Sequence, residues 1–298
     1  MTGTGTGVGK TVVMSAIAAL AIAAGRRVAV LKAAQTGVDA GQPGDVDEVR
    51  RLVGSSVTCR ELARYPDPLA PATAARRAGL PPVTPATVAA AVRELAAEHD
   101  LVMVEGAGGL LVPLDDRGGT LADVAAAVAA PVLVVAAAGL GTLNHTALTV
   151  EVLRTRGLGC VGLVIGAWPT RPDLAAQCNL ADLPAVTGLP LLGALREGAG
   201  RLTPEKFLPV AQQGLGAGWQ VAAALSYMDW GARRQAMTAE LYEVTREQLT
   251  ERRRVALARL DISERALRQR AVEHVLTPEE RDALNELEEI DFLLGDGA

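Results

Sequence analysis

The stretch Gly3-Thr4-Gly5-Thr6-Gly7-Val8-Gly9-Lys10-Thr11 decides the fold of this 298-residue chain. It is an extended phosphate loop, in which a glycine and five further residues precede Gly-Lys-Thr. The glycines let consecutive backbone N–H groups surround phosphate oxygens, and the following helix adds its positive N-terminal end. Lys10 supplies charge to the β- and γ-phosphates, and the Thr11 hydroxyl can bind Mg²⁺. A plain glycine-rich turn would not need Gly-Lys-Thr at its end, so the loop predicts nucleotide binding.

The use of lysine points to a second functional position. The chain contains only three lysines, Lys10, Lys32 and Lys206, and otherwise uses arginine for positive charge. Lysine carries a compact ammonium, whereas arginine carries a planar guanidinium. A lysine at a strand end in a chain that otherwise uses arginine therefore indicates that the position needs a compact cation. We expect Lys32 to stabilise the charge that develops on a transferred γ-phosphoryl group. The alternative is a strand-end lysine that simply reaches solvent.

Two acidic residues are candidate magnesium ligands. Glu105 ends a strand and is followed by a glycine turn, Gly106-Ala107-Gly108-Gly109, whereas Asp45 lies in a polar stretch, Asp39–Asp47, that we predict to be a loop. Magnesium takes a few hard oxygen ligands together with phosphates and water, so one or two carboxylates suit it. A surface acid at a strand end remains the alternative for Glu105, and Asp39 or Asp47 could replace Asp45.

Short apolar runs alternate with helical patterns along the first 225 residues. This alternation predicts an α/β fold of the phosphate-loop NTPase type, with a doubly wound, mainly parallel sheet whose ligands bind at the carboxyl ends of the strands. The predicted strands are Val28–Leu31, Leu101–Val104, Pro131–Val135, Val161–Ile165 and Leu191–Leu195. The predicted helices are Thr11–Ala24, Pro85–Glu98, Leu121–Ala129, His145–Arg156 and Leu174–Thr187.

A phosphate loop normally follows a buried strand, but here only Met1 precedes it. Loss of about five buried apolar side chains, at roughly 1.5–3 kcal/mol each, would remove on the order of 10 kcal/mol of the free energy that stabilises the fold. The whole stability of a domain is about 5–15 kcal/mol. We therefore expect the first strand to be truncated in this sequence and the true start to lie upstream.

Composition restricts the class of protein. The chain is 49% hydrophobic and carries a net charge of −5, which excludes a disordered chain and argues against a nucleic-acid binder. Cys59, Cys160 and Cys178 lack metal-site or disulfide spacing. The uncharged run Val124–Val150 is long enough to span a bilayer but divides better into helix, strand, loop and helix. We expect a soluble, cytoplasmic protein.

The last 73 residues differ from the rest. Residues 226–298 contain 11 arginines and 16 acidic residues, whereas residues 1–225 contain 18 residues of each sign. We therefore predict a phosphate-loop domain over 1–225 and a charged helical extension of unknown role over 226–298. Thr277-Pro278-Glu279-Glu280 is a capping box with proline at the first helical position. The extension is either a solvated helical appendage or an element for binding a partner.

Four segments together resemble the dethiobiotin synthetases, the ATP-dependent ring-closing enzymes of biotin synthesis. They are Thr2–Thr11, Lys32–Gly37, Glu105–Gly109 and Gly141–His145, and the resemblance covers about residues 1–225. It implies a homodimer whose substrates are 7,8-diaminononanoate, CO₂ and ATP or another nucleoside triphosphate, with Mg²⁺. An amine carbamate is phosphorylated to a mixed anhydride, which the second amine attacks to close the ring.

The resemblance also implies a role for individual residues. Lys32, Lys10 and Thr6 would be catalytic, and Thr11, Asp45 and Glu105 would hold Mg²⁺. Thr36 would bind the carbamate or the amines, and Leu143 and Asn144 would reach the substrate's carboxylate tail across the dimer. The nucleotide would contact Gly7, Val8, Gly9, Lys10, Thr11, Val12, Asp45, Glu105, Gly106, Ala107, Gly108, Gly166, Ala167, Leu195, Arg196 and Glu197.

Several positions depart from the family pattern. Lys32 is followed by Ala33 rather than proline, and the turn that reads the base is Gly166-Ala167-Trp168 rather than a polar pair. Leu195-Arg196-Glu197 replaces a turn that usually contains proline. These departures leave the preferred nucleotide open.

Two other classes share the fold. Nucleotide switches of the partitioning type carry a second lysine five positions before Lys10, where this chain has Gly5. A regulatory domain without turnover would not need Lys32, Glu105 and the Leu143-Asn144 loop. The residues therefore favour an enzyme.

Overall fold

The computed structural model describes residues 1–216 and, beyond them, 253–254, 257, 260, 262–272, 277, 280, 283–284 and 287. The chain divides into two compact units, Met1–Trp230 and Gly231–Ala298.

The first unit is built on parallel strands. One sheet has the order β4-β2-β6, and a second has the order β1-β7-β8-β9. A short parallel pair, β3 with β5, accompanies them. The strands are β1 Thr2–Gly3, β2 Val28–Lys32, β3 Gln35–Thr36, β4 Val57–Glu61, β5 Arg64–Tyr65, β6 Leu101–Glu105, β7 Val132–Ala136, β8 Cys160–Trp168 and β9 Leu191–Arg196.

The two-residue strand β1 connects the two sheets at their carboxyl ends. On one side, Thr2 and Gly3 pair with Val134 and Val135 of β7. On the other side, Gly3 bridges to Gly109, and the Met1 amine donates to the carbonyl oxygen of Val104 at 2.7 Å. The phosphate loop therefore leaves the sheet between β6 and β7.

Helices follow the strands, as expected for a doubly wound fold. The helices of this unit include α1 Lys10–Ala23, α2 Asp45–Val53, α3 Pro71–Ala78, α4 Pro85–Glu98, α5 Leu121–Ala127, α6 Thr142–Thr155 and α7 Leu174–Thr187. Residues 204–216 are also helical and are labelled α8. Local sequence sets their starts: proline occupies the first helical position of α3 and α4, and Asp173 caps α7 by accepting from the Ala176 N–H at 2.7 Å.

The core is made mostly of alanine, valine and leucine. One cluster packs α1 against the sheets and includes Phe207 and Leu215 of α8. A second lies beneath α3, α4 and α5, and a third lies between α6, α7 and the β7-β8 pair. These clusters cover β2 on both faces, so every residue of that strand is buried.

All five predicted strands and all five predicted helices exist, with ends that differ by a few residues. Helix α6 begins at Thr142 rather than His145 because Gly141 adopts a left-handed conformation and starts the helix one turn earlier. The stretch Asp39–Asp47 is not wholly a loop, since α2 begins at Asp45. No described helix combines the length and apolar character needed to cross a membrane, and residues 124–150 divide among α5, β7 and α6.

The described part of the second unit contains helix α9, Glu264–Val272. The predicted capping box is present, because the Thr277 N–H donates to Glu280 at 2.8 Å and the Glu280 N–H donates to the Thr277 hydroxyl at 3.2 Å. Leu267 and Leu287 are buried in one small apolar cluster. Most of the helical extension predicted over 226–298 lies outside the described residues.

Candidate active site

The phosphate loop closes tightly against the end of β8. Gly9 has a φ of 95°, a conformation that favours glycine, and a Cβ there would lie 2.7 Å from the Gly166 carbonyl oxygen. A Cβ on Gly166 would in turn overlap the carbonyl oxygen of Val8. The loop therefore requires glycine on both sides of this contact.

Lys10 folds back over the same loop. Its Nζ donates to the Gly5 carbonyl oxygen at 2.9 Å, and the side chain is buried. Burial lowers the pKa of Lys10, although the nearby Glu105 carboxylate acts in the opposite direction. The loop and its lysine form a concave group of N–H donors and one ammonium, which suits a polyphosphate.

A buried ammonium held by two carboxylates lies beside this loop. Lys32 Nζ is 2.6 Å from Asp45 Oδ2 and 2.9 Å from Glu105 Oε1, and it also donates to the Gly106 carbonyl oxygen at 3.3 Å. Lys32 is 4% exposed and Glu105 is 2% exposed. Lys32 is therefore not a solvent-reaching lysine, and Glu105 is not a surface acid.

The charges in this cluster shift one another's pKa. Burial alone lowers the pKa of Lys32, but the adjacent Glu105 and Asp45 carboxylates outweigh it, so the Lys32 pKa is raised. Burial raises the pKa of Glu105 despite the attraction of Lys32. Lys32 therefore stays cationic at neutral pH, and its two partners supply the compensating charge that a buried ammonium requires.

The same cluster has the donors that Mg²⁺ prefers. The Thr11 hydroxyl donates to Glu105 Oε1 at 3.1 Å, and the Glu105 and Asp45 carboxylates both contact Lys32 Nζ, so a hydroxyl and two carboxylates belong to one cluster. These are hard oxygen donors, and they border the loop that would bind phosphates. The described residues contain no group of three or more His, Cys, Asp and Glu side chains placed to bind a metal. A magnesium ion here would therefore depend on nucleotide and water for its remaining ligands.

Sequence reasoning missed Gln35, which positions Asp45. Gln35 is buried, and its Oε1 accepts from the Asp45 N–H at 2.9 Å, while its Nε2 donates to the Thr36 carbonyl oxygen at 3.3 Å. One amide thus connects the start of α2 to the strand that carries Thr36. The signal in the sequence was weak, because a single polar residue between Lys32 and Thr36 has no recognisable pattern.

The glycine turn after β6 lies against the phosphate loop. A Cβ built on Gly108 would be 3.6 Å from the Thr6 hydroxyl, and one on Gly106 would be 2.8 Å from the Leu121 side chain. Gly108 also has a φ of 69°. The structure therefore brings Thr6 close to Gly108.

The two turns predicted to contact the base meet through a main-chain bond. The Glu197 N–H donates to the Trp168 carbonyl oxygen at 2.7 Å, which joins the end of β8 to the end of β9. Leu195 is fully buried in the core, so only its main chain can face a ligand, whereas Arg196 and Glu197 are exposed. Val12 lies near the same region, 3.0 Å from the position of a Cβ on Gly200.

Leu143 and Asn144 lie in the first turn of α6, directly after the loop that follows β7. The Asn144 side chain is exposed, and Leu140 just before the helix is 93% exposed. Asn179, a buried residue of α7, holds the loop between β7 and α6. Its Nδ2 donates to the carbonyl oxygens of Ala138 and Gly139 at 2.8 and 3.1 Å.

Comparison with known proteins gives one consistent result. A family model described as an AAA domain matches residues 1–200. The ATP-dependent dethiobiotin synthetase BioD of Saccharopolyspora erythraea is 69% identical over 72% of this chain and 93% of that protein. The protein of the same name from Streptomyces avermitilis is 67% identical over 70% of this chain and 87% of that protein.

Among solved structures, the septum site-determining protein MinD complexed with Mg-ADP, from Pyrococcus horikoshii, matches with a TM-score of 0.45. The two chains are 15% identical, and the match covers 79% of this chain and 96% of that one.

Proposed function

This chain belongs to the family of ATP-dependent dethiobiotin synthetases, and from that membership we propose which of its residues carry the reaction. It is an ATP-dependent cyclo-ligase of biotin biosynthesis that forms dethiobiotin. The observation that carries the proposed assignment is the buried Lys32 ammonium between Asp45 and Glu105, directly beside the phosphate loop.

The proposed reaction starts from 7,8-diaminononanoate and CO₂, which form a carbamate on one amine. The carbamate oxygen attacks the γ-phosphorus of ATP, ADP leaves, and a carbamic–phosphoric anhydride results. The second amine then attacks the carbamoyl carbon, loses a proton and expels phosphate as the ureido ring closes. Both the carbamate and the triphosphate are anionic, so the site must bring like charges into line and screen them.

Lys32 is suited to that screening. Its ammonium is buried and cationic, and it is fixed by two carboxylates rather than free to rotate into water. A fixed cation costs little reorganisation when charge develops on the transferred phosphoryl group. In this proposal Lys32 lies between the carbamate and the γ-phosphate, and Thr6 faces the same reacting centre from the phosphate loop.

The phosphates bind to Lys10 and the N–H groups of Gly7–Thr11. Thr11, Asp45 and Glu105 would hold Mg²⁺, which when bound supplies charge neutralisation on the β- and γ-phosphates. The donor set of one hydroxyl and two carboxylates supports this assignment. The base would lie against Gly166, Ala167, Leu195, Arg196 and Glu197, with ATP as the expected nucleotide.

Substrate recognition involves Thr36, the Gly106–Gly108 turn and, in a homodimer, Leu143 and Asn144 of the second protomer. Two exposed apolar side chains support a dimer. Leu140, just before α6, is 93% exposed and Leu148, within α6, is 58% exposed, and an interface between protomers would cover them.

The three cysteines are free, which is consistent with a proposed cytoplasmic location.

The test is direct synthesis by the full chain. Purified protein is incubated with diaminononanoate, bicarbonate, MgCl₂ and ATP, and dethiobiotin is measured by mass spectrometry. We expect product only in the complete mixture, with one ADP released per ring closed, and ¹³C from labelled bicarbonate in the ureido carbonyl. ATP hydrolysis without incorporation of the label would refute the proposal and indicate a nucleotide switch instead.

A further inference from the structure

The short parallel pair of β3 and β5 carries an arginine to which the proposed reaction gives no role. Arg64 of β5 pairs in register with Gln35 of β3. The Arg64 side chain is 22% exposed, whereas the other arginine side chains in ion pairs of residues 1–216 are 41–66% exposed. A charged group that is withdrawn from water needs its hydrogen bonds satisfied, so its partners indicate what it holds.

Arg64 connects the end of β4 to the loop of residues 37–44, which we call the β3–α2 loop. Its Nε and Nη2 donate to the two carboxylate oxygens of Glu61 at 2.7 and 2.9 Å. Its Nη1 donates to the carbonyl oxygens of Asp39 and Gln42 at 3.2 and 2.6 Å. The planar guanidinium suits this arrangement, because a bidentate pair with a carboxylate fixes its plane and directs the remaining N–H groups.

The β3–α2 loop has little apolar packing of its own. Six of its eight residues are exposed. Few buried contacts leave a segment easy to open locally, so polar contacts must hold this loop in place. An ion pair with Glu61 alone would fix only the turn between β4 and β5, whereas the two bonds from Arg64 Nη1 reach carbonyl oxygens 22 and 25 residues away in the sequence.

The loop ends at Gly44, which lies between the side chains of Arg64 and Gln35. A Cβ at Gly44 would be 2.8 Å from Arg64 Nη2 and 2.9 Å from Gln35 Oε1, so a side chain there would displace one of these groups. The Gly44 N–H donates to Asp47 Oδ2 at 2.8 Å, which caps α2. The chain is therefore fixed immediately before Asp45.

Asp45 reaches the ion cluster differently from Glu105. Glu105 ends β6, a strand that is paired with β2 along its length. Asp45 instead begins a helix that follows an exposed loop, yet its Oδ2 lies 2.6 Å from Lys32 Nζ. Loops are more mobile than the paired strands that they connect. The place of Asp45 therefore depends on the groups that fix the β3–α2 loop.

We propose that Arg64, oriented by Glu61, is a positioning residue that places the Asp45 carboxylate against Lys32 by holding the β3–α2 loop. Arg64 does not touch the reacting atoms, and its effect passes through Gly44 to the start of α2. The value of this placement rests on the proposed function, in which Asp45 helps to hold Mg²⁺. The contacts of Arg64 with the loop do not depend on that assignment, so the two are tested separately.

The first test compares Arg64→Gln with Arg60→Gln in the full chain without ligand. Arg60 lies on β4 and forms a surface ion pair with Glu94 at 2.6 Å, so it controls for the loss of one guanidinium. The measurement is backbone amide exchange. We expect exchange at Gly44 and Asp45 to become at least about tenfold faster in Arg64→Gln, because two hydrogen bonds from a charged group are lost. Exchange across β2 should stay unchanged, and Arg60→Gln should change neither region.

The second test measures how Mg²⁺ supports binding of an ATP analogue that cannot transfer its γ-phosphate, by calorimetry and without turnover. Arg64→Gln should raise the Mg²⁺ concentration for half-maximal affinity by about tenfold, the lower end for residues that orient a metal ligand. It should add nothing in a chain that already carries Asp45→Asn. Arg64→Lys keeps the charge but not the planar donors, so it should restore neither the magnesium requirement nor the slow exchange.

Unchanged exchange at Gly44 and Asp45 in Arg64→Gln would overturn the proposal. Equal magnesium effects with and without Asp45→Asn would also overturn it, because a role in general stability acts in both backgrounds. If Asp45→Asn alone leaves the magnesium requirement unchanged, the proposed magnesium ligand is wrong, and the exchange measurement decides the role of Arg64. If Arg64→Gln does not fold, Glu61→Gln removes the anchor of the guanidinium and should give the same faster exchange, and its absence there would refute the positioning role.

Discussion

Lys32→Gln removes the cation on which the proposed chemistry depends. The glutamine amide keeps hydrogen-bonding capacity but leaves Asp45 and Glu105 without the ammonium that lies 2.6 and 2.9 Å from them. Breaking a buried ion pair by removal of one partner costs about 3–5 kcal/mol. For a unit of this size each kcal/mol lowers the thermal midpoint by about 2–4 °C, so we expect a fall of about 10 °C.

The loss of activity should exceed what instability explains. Removal of one preorganised group that stabilises transition-state charge lowers kcat by about 10²–10³. ATP binding should change little, because Lys10 and the loop amides remain. The assay is single-turnover formation of ¹³C-labelled dethiobiotin at a temperature well below the midpoint of the variant, with ATP affinity measured separately by calorimetry.

The matched control is Lys206→Gln, which removes an exposed lysine of α8. It should leave both kcat and the thermal midpoint unchanged. If Lys32→Gln retained wild-type turnover while folded, Lys32 would have no part in the reaction. If its thermal midpoint were also unchanged, the ion-pair cluster itself would be in error.

Four further predictions test other parts of the site. Glu105→Gln should raise the Mg²⁺ concentration for half-maximal rate by about tenfold, and an unchanged magnesium titration would remove Glu105 from the ligands. Gly166→Ala should weaken ATP binding at least about tenfold, because the added Cβ would displace Val8 of the phosphate loop. The control Gly216→Ala has open space around the new Cβ and should leave ATP affinity unchanged. Equal ATP affinities of the two variants would contradict the close contact between Gly166 and Val8. Asn179→Ala should raise the KM for diaminononanoate with little change in the KM for ATP, because it removes the hydrogen bonds that hold the loop before α6. A rise in both KM values would indicate a general structural role for Asn179. The free energy of unfolding should rise by about 2–3 kcal/mol between pH 6 and 8, because the Met1 amine has a pKa of about 6 when folded and 8.0 when unfolded. N-terminal acetylation should abolish this rise. If acetylation leaves the pH profile unchanged, the Met1 amine is not its source.

The sign of that last effect follows from proton binding. Between pH 6 and 8 the unfolded amine holds its proton while the buried folded amine has lost it, so stability increases as the pH rises. Glu105 acts oppositely at lower pH. Burial raises its pKa, so its contribution to stability decreases as the pH rises from its unfolded pKa through its folded one.

The sequence predicted the parts of the fold that local pattern controls. Continuous apolar runs located strands β2, β6, β7, β8 and β9, and the phosphate-loop motif fixed the start of α1 to within one residue. Helix α2 and strand β4 were missed because the polar run before them has the composition of a loop. Only three residues of α2 are buried, so its sequence shows only a short apolar pattern of helical spacing.

The sequence named candidate site residues but could not give their arrangement. The strand-end positions of Lys32 and Glu105 predict that the two lie at one edge of the sheet, and their side chains are 2.9 Å apart in the structure. The ion pair between Lys32 and Asp45 depends on where α2 begins, which the buried amide of Gln35 determines through tertiary contact. Likewise, the need for glycine at position 166 arises from the approach of two backbones that are far apart in the sequence.

The scarcity of lysine has a practical consequence for handling this molecule. Two of the three lysines are buried in the ion cluster and the phosphate loop, and the terminal amine is buried as well. Lys206 is therefore the one lysine that an acylating dye or an activated resin can reach freely. Attachment through it would give a uniformly oriented preparation, suited to surface-based measurement of ligand exchange.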